Sequence, residues 1–154
     1  MTMKMKRFLA LLMGSMIAIG GAFPCYAIDA KEETTTIFYQ LENGITVEET
    51  IWETSISTFA TEMQKRGTAR RTYRKGSDTV AVVSLTVTFW YDGLDSGVVS
   101  MDSSHTTYDG WLYHNESTWD SGDTAYLSAE ITQIASSTIY VDLSLSCSPS
   151  GQLS

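Results

Sequence analysis

The chain has 154 residues, a formal net charge of −8 at pH 7 and two cysteines. This length is enough for one domain with one hydrophobic core. Because nucleic acid and anionic lipid are themselves negatively charged, the acidic balance disfavours both as partners for the molecule as a whole.

Residues 1–27 have the three parts of an export signal. Three basic residues within the first seven positions precede an apolar run over 8–22, and a small-x-small sequence ends at Ala27. The apolar run is shorter than the roughly 20 residues that a membrane-spanning helix needs. We therefore expect a signal peptide over 1–27, cut after Ala27 with Ala30 as the alternative, and a mature chain released outside the cell without a membrane anchor.

Cleavage changes both the charge and the cysteine content. Three of the ten basic residues and none of the 18 acidic residues leave with the signal, which takes the formal charge to −11. Cys147 becomes the only cysteine, so a disulfide within the chain is excluded although export leads to an oxidising environment. Cys147 follows the apolar side of a predicted strand, and we expect it to be buried; pairing between two chains is the alternative.

The mature chain reads as strands separated by turns. Residues 28–44 predict a flexible acidic leader, and 45–154 predict a single β domain. Apolar and polar residues alternate most clearly over 79–91, 125–133 and 138–147, as in antiparallel strands with one buried face. Weaker strand patterns cover 45–51, 68–74, 98–103 and 111–117. About seven strands at this spacing predict an all-β fold, an antiparallel two-sheet sandwich of immunoglobulin-like type.

The segment between about residues 50 and 65 is ambiguous. Trp52, Ile56, Phe59 and Met63 recur at helical spacing, which allows a short helix. Its Thr and Ser content favours strand or irregular structure instead, because these residues are poor helix formers.

Basic residues are concentrated in one short segment of the mature chain. Six of the seven lie between positions 65 and 75, and no Lys or Arg follows. They form a candidate anion-binding site for a partner such as a cell-wall polymer, in which Arg supplies fork-shaped donors. The alternative is an edge strand that uses charge against aggregation; charge on both faces of the strand favours an edge position. The six residues are Lys65, Arg66, Arg70, Arg71, Arg74 and Lys75.

Aromatic residues cluster between positions 108 and 119. Tyr108, Trp111, Tyr113 and Trp119 are candidate glycan-binding residues, since exposed rings can stack on sugars. Burial in the core is the alternative, because aromatic side chains contribute the largest buried areas, and it is favoured for Trp111.

Catalytic and metal-binding patterns are weak. His105 and His114 are the only histidines, and neither has a Cys or His at ligand spacing. The Asp/Gly turns at 92–95 and 120–123 do not fit the twelve-residue calcium loop, and no nucleophile-elbow motif occurs. We predict no catalytic residue, no metal ligand and no cofactor.

Residues 68–154 resemble a group of small, signal-bearing secreted β-sandwich proteins of Gram-positive bacteria to which no activity is assigned. The resemblance is carried by turn and core residues such as Phe89-Trp90-Tyr91-Asp92-Gly93 and Tyr108-Asp109-Gly110-Trp111. It implies export and a sandwich fold, and it transfers no functional residue. Some members carry a cysteine near the position of Val98-Val99 that could pair with the C-terminal one; this chain has valines there, so the bridge is absent.

These patterns predict a secreted extracellular binding or interaction protein without catalytic activity. Its candidate partners are a cell-wall polymer, a glycan or another secreted protein, and we expect a monomer that binds neither nucleic acid nor membrane. The alternatives are a glycan-binding module, a bacteriocin-like antagonist or its accessory protein, and a hydrolase on a sandwich scaffold. Fold alone does not separate them.

Overall fold

The computed structural model describes residues 32–56 and 63–154, so the expected signal peptide lies outside the described residues. Within them no helix reaches the length and apolarity needed to cross a membrane. The described secondary structure consists of the strands β1 (Glu32–Gln40), β2 (Ile45–Ile56), β3 (Met63–Lys75), β4 (Asp78–Tyr91), β5 (Ser96–Thr107), β6 (Leu112–Ser121), β7 (Thr124–Thr132) and β8 (Ile139–Ser146).

The strands form two antiparallel sheets. One has five strands in the order β1-β2-β3-β4-β5, and the other has three in the order β6-β7-β8. The predicted all-β, two-sheet architecture is confirmed. Strands that follow one another in the chain pair side by side, so each sheet is a meander, and the chain passes from one sheet to the other between β5 and β6. This connectivity differs from that of an immunoglobulin domain, in which Greek-key connections carry the chain repeatedly from one sheet to the other.

The prediction of a flexible leader over 28–44 is wrong from Glu32 onward, because residues 32–40 form the strand β1. This strand pairs with β2 from Glu32 opposite Glu53 to Gln40 opposite Thr46, and it adds an eighth strand. Its sequence lacks an apolar-polar alternation because it lies at the edge of the sheet, where Ile37 and Phe38 are both at least half exposed. Residues 28–31 lie outside the described part.

The ambiguous segment is extended on both sides of its middle. Residues 50–56 belong to β2 and 63–65 to β3, so the helical alternative is excluded there. Thr and Ser at these positions favour the extended backbone, as their side chains suit a pleated surface. Residues 57–62 lie outside the described residues.

The core lies between the two sheets and is centred on β4. Every second residue of this strand is completely buried, from Ala81 to Phe89. The three-stranded sheet supplies the opposing layer through alternate residues of β7 and β8, from Ala125 to Ile131 and from Ile139 to Leu145. Two sheets that each turn one apolar face inward leave their other faces in water.

The last residues of the chain close one end of this core. Leu153 packs against Gly67 of β3, so closely that a β-carbon on Gly67 would collide with the Leu153 side chain. Cys147 is completely buried beside it, as the sequence predicted. Burial raises the pKa of the Cys147 thiol above its ordinary value.

Candidate functional site

The basic residues of β3 lie in the middle of the five-stranded sheet, between β2 and β4, and the expected edge position is therefore wrong. Alternation along the strand divides them between its two faces. The inner face of β2 is buried in the core at Ile45 and Val47. Further along β2, Glu49 and Glu53 also face inward, and they supply the negative charge that lets the central strand β3 carry cations on its inner face.

Two of the cations, Lys65 and Arg71, face inward and are paired with carboxylates of β2. Lys65 Nζ lies 2.9 Å from Glu53 Oε2, and Arg71 Nε donates to Glu49 Oε2 at 2.8 Å. The Tyr39 ring lies 6.0 Å from the Arg71 guanidinium. All four charged side chains are largely buried, so this pairing serves the fold and leaves neither cation available to a ligand.

The other three arginines of β3 project from the outer surface of the five-stranded sheet, and we call Arg66, Arg70 and Arg74 the guanidinium face. Arg70 lies over the Trp52 ring, 4.7 Å from its centroid, and its Nε reaches the Ser84 hydroxyl at 3.4 Å. Arg74 makes a long, exposed contact of 3.4 Å with Glu48. Within the described residues Arg66 and Arg70 have no carboxylate partner.

Lys75 is the last residue of β3 and is exposed. It lines a cleft of about 400 Å³ together with Asp78, Asp109 and Trp111. The six predicted anion-binding residues are therefore divided among two inner ion pairs, one outer row and one strand end.

The four predicted glycan-binding aromatics do not form one surface. Trp111 is buried, with 4% of its surface exposed, as its core alternative predicted. Tyr113 points inward opposite Ile131 and stacks on the His105 ring. Tyr108 and Trp119 are exposed, but Tyr108 lies in the turn before β6, whereas Trp119 lies near the far end of that strand.

A hydrogen-bond network holds Tyr113 in place. A bulge in β6 between His114 and Ser117 brings Glu116 towards Tyr113 and β5. Its carboxylate accepts hydrogen bonds from the Tyr113 hydroxyl, at 2.7 Å, and from the Ser103 hydroxyl. Burial acts to raise the pKa of Glu116, but these hydrogen bonds and the charge of His105 outweigh it and lower the pKa. Tyr113 thus joins the two sheets.

Trp119 instead has an aromatic partner that the sequence analysis missed. Its ring is stacked on Tyr126 of β7, with centroids 5.3 Å apart and planes 11° apart. The two residues lie directly opposite one another because β6 and β7 are joined by a two-residue turn. Gly122 begins that turn with a φ of 66°, which glycine adopts without steric cost. The Ser121-Gly122-Asp123-Thr124 motif was the available signal, since a turn of this length fixes the register.

The stacked rings form one wall of a cleft of about 250 Å³ on the outer surface of the three-stranded sheet. Ser144 of β8 lies opposite Tyr126 and lines the cleft together with Asp142. We call these four residues, Trp119, Tyr126, Asp142 and Ser144, the aromatic cleft. Its rings can stack on the C–H face of a sugar, while the carboxylate and the hydroxyl can bind sugar hydroxyls.

Groups suited to metal binding are not brought together in the described part of the chain, where no cluster of three His, Cys, Asp or Glu could hold an ion. His114 is held by β7: its Nε2 lies 3.0 Å from the Thr132 hydroxyl and its Nδ1 3.6 Å from Glu130. Glu48 and Glu49 point to opposite faces, each towards a different arginine, so they do not act as a carboxylate pair.

Comparison with protein-family models, with curated proteins and with solved structures finds no match to this chain. Function is therefore inferred from the two outer surfaces.

Proposed function

We propose that the chain is a secreted, non-catalytic binding protein that recognises carbohydrate at the aromatic cleft. The observation that carries this proposal is the Trp119–Tyr126 stack, which lies at the surface beside a carboxylate and a hydroxyl. Trp119 keeps 46% of its surface exposed. A large aromatic side chain left in water beside polar groups is typical of a binding surface, because burying it on a ligand is favourable.

The shape of the cleft favours one sugar ring of a longer chain. Its volume of about 250 Å³ is below the ~300–1,000 Å³ of pockets that enclose a whole drug-sized ligand. The cleft lies across three paired strands, so a polysaccharide can continue past it in either direction. A site of this size contributes modest affinity for a single ring.

The charge of the cleft favours a neutral sugar. Asp142 is exposed and lies near a bound ring, where an ionised carboxylate accepts hydrogen bonds from hydroxyl groups. It repels an acidic sugar for the same electrostatic reason. We therefore propose neutral or N-acetylated saccharides as the ligand class.

The proposal includes export of the chain from the cell. The export signal predicted over 1–27, and the resemblance of residues 68–154 to small secreted proteins of Gram-positive bacteria, support an extracellular location. We therefore propose cell-wall polysaccharides as the neutral glycans that the chain binds there.

The test measures binding of the full chain to soluble neutral oligosaccharides, including N-acetylglucosamine oligomers, through tryptophan fluorescence. Trp119→Ala and Tyr126→Ala should each weaken binding at least about tenfold, the change that 1.4 kcal/mol produces. For Trp119→Ala, which removes a fluorophore, calorimetry replaces fluorescence.

Tyr140→Ala is the matched control. Tyr140 is 70% exposed on the outer surface of the same sheet but does not line the cleft. Its removal should leave the affinity unchanged. The proposal fails where the unaltered chain binds no neutral oligosaccharide, and equally where all three variants bind alike.

A further inference from the structure

We propose that the guanidinium face is a second binding site, on the other sheet, for a linear polymer of phosphodiester-linked polyols. It differs from the proposed carbohydrate site in position and in ligand charge, and neither proposal depends on the other. The row consists of Arg66, Arg70 and Arg74 on the outer surface of β3.

The cations of β3 are paired selectively. Both inward cations of β3 are matched with carboxylates at 2.8–2.9 Å, although the chain has 18 acids against ten bases. The outward arginines are not matched in this way. Arg70 rests on Trp52, Arg66 has no carboxylate partner among the described residues, and Arg74 has only the exposed 3.4 Å contact. In so acidic a chain, unmatched guanidinium groups form the surface to which an anion is attracted.

The charges of the guanidinium face are regularly spaced. The three arginines occur at every fourth position of one strand, so they lie in a line with successive residues about 13 Å apart. A guanidinium group binds phosphate oxygens through two parallel hydrogen bonds. Separated guanidinium groups in a row can each bind a different phosphate of one flexible chain, whereas a single ion reaches only one of them.

Hydroxyl groups surround the row of arginines. Thr68 lies between two of the arginines, and its hydroxyl is 3.0 Å from that of Thr86 on β4. Such groups can donate to phosphate oxygens and accept from polyol hydroxyls. Hydroxyl residues at outward positions of the two neighbouring strands, β2 and β4, are Thr50, Ser84, Thr86 and Thr88. Beyond β4, the outward positions of β5 carry Ser100, Ser104 and Thr106 together with the acid Asp102.

The same surface is poorly suited to nucleic acid. Proteins that bind single strands stack bases on exposed rings, whereas Trp52 is 9% exposed and covered by Arg70. A nucleic acid duplex or a lipid bilayer is also broader than the row of arginines. Its phosphates would lie within a Debye length, about 8–10 Å, of the acidic residues around the row and would be repelled by them. A thin polyol phosphate chain can follow the arginines alone.

The test uses the full chain and a fluorescently labelled synthetic poly(glycerol phosphate), with binding followed by anisotropy. Two to three phosphate contacts predict that raising the salt from 50 to 200 mM weakens binding about seven- to twentyfold. The variant R66Q/R70Q/R74Q should lose at least tenfold in affinity, whereas R66K/R70K/R74K should retain part of it, because lysine keeps the charge and loses the fork.

The matched control is S136D/S137D/S150D, which gives the same net charge through exposed serines elsewhere. It should bind within about twofold of the unaltered chain. A loss equal to that of the glutamine variant would overturn the proposal, because net charge alone would then explain the binding. A salt-independent affinity overturns it even where the glutamine variant fails to fold.

Two further probes separate the ligands and the sites. Single-stranded DNA or anionic phospholipid vesicles that bind as tightly as poly(glycerol phosphate) would contradict a polyol phosphate site. Trp119→Ala should leave polymer binding intact, and R66Q/R70Q/R74Q should leave saccharide binding intact. Loss of polymer binding in Trp119→Ala would contradict a separate site.

Discussion

Tyr113 of β6 stacks on His105 of β5, with ring centroids 3.8 Å apart and planes 16° apart. β5 is an edge strand of the five-stranded sheet and β6 is an edge strand of the three-stranded one, so this contact connects the two sheets along one side. The Glu116 carboxylate accepts hydrogen bonds from Tyr113 and from Ser103 of β5 and so adds to this connection. The stability of that side should therefore depend on the ionisation of one carboxyl group.

Glu116 should make folding weaker in acid. Its pKa in the folded chain lies below the ordinary value of 4.5, so its contribution is complete above that value. The contribution is lost as the pH falls through the lowered pKa. Urea unfolding between about pH 5 and pH 3 should show a smaller fall in the free energy of unfolding for Glu116→Gln than for the unaltered chain. Parallel profiles would contradict the network.

The two glutamates side by side on β2 should differ in their importance for stability. Glu49 holds the largely buried Arg71, and we expect Glu49→Ala to cost on the order of 1–3 kcal/mol, because an unpaired cation remains in the inner layer. Glu48 meets Arg74 at the surface, and Glu48→Ala should change the free energy of unfolding by less than about 0.5 kcal/mol. Chemical denaturation of both variants makes the comparison; equal losses would contradict the inner pairing.

Tyr73→Phe should leave stability unchanged or raise it by up to about 1 kcal/mol. The Tyr73 hydroxyl is buried without a hydrogen-bond partner among the described residues, and its desolvation opposes folding. Thermal unfolding of the variant measures the effect. A clear loss of stability would contradict this expectation and would mean that the hydroxyl is hydrogen-bonded in solution, to Arg71, whose charge acts on Tyr73.

Gly67→Ala should destabilise the domain by about 1–3 kcal/mol, since the added methyl group meets the Leu153 and Leu145 side chains. The effect should shrink in the double variant with Leu153→Ala, because the group in the way is then removed. Gly76→Ala cannot serve as the control, because Gly76 has a positive φ, and alanine would be strained there whatever its surroundings. Strictly additive losses in the double variant would show that Leu153 does not pack on this glycine.

Cys147 should react slowly while the chain is folded. The thiolate is the reactive form, and burial both shields this thiol and raises its pKa. An aromatic disulfide reagent should modify it at a rate that follows the unfolded fraction as urea increases. Fast modification of Cys147 in the folded chain, measured with Cys25 replaced by serine, would contradict its burial beside Leu153.

The strand composition of the fold could be predicted because a strand with one buried face repeats every two residues. β4, β7 and β8 show this period, and the structure gives bounds within one or two residues of the predicted ones. β1 could not be found in the same way, since an edge strand that keeps Ile37 and Phe38 exposed has no apolar-polar alternation.

The candidate sites were less predictable because they depend on which strands become neighbours. Trp119 stands out in the sequence, but its partner Tyr126 becomes visible only when the register across the β6–β7 turn is known. The position of β3 likewise follows from long-range pairing. Charge on both of its faces suggested an edge, yet β3 lies in the middle of the sheet, where carboxylates of β2 pair with its inward cations.

The two sheets stand back to back, so their outer surfaces look in opposite directions. A polymer that lies on the arginines of one sheet is separated from the rings of the other by the full thickness of the domain. Where both proposed sites bind their ligands, a single molecule would hold two unlike chains at once and would act as a crosslinker even as a monomer. A mixture of the protein with both polymers should then thicken or precipitate only when the number of protein molecules is close to the number of binding sites on the polymers. An excess of protein should dissolve the network again, because each polymer site is then occupied by a separate protein molecule.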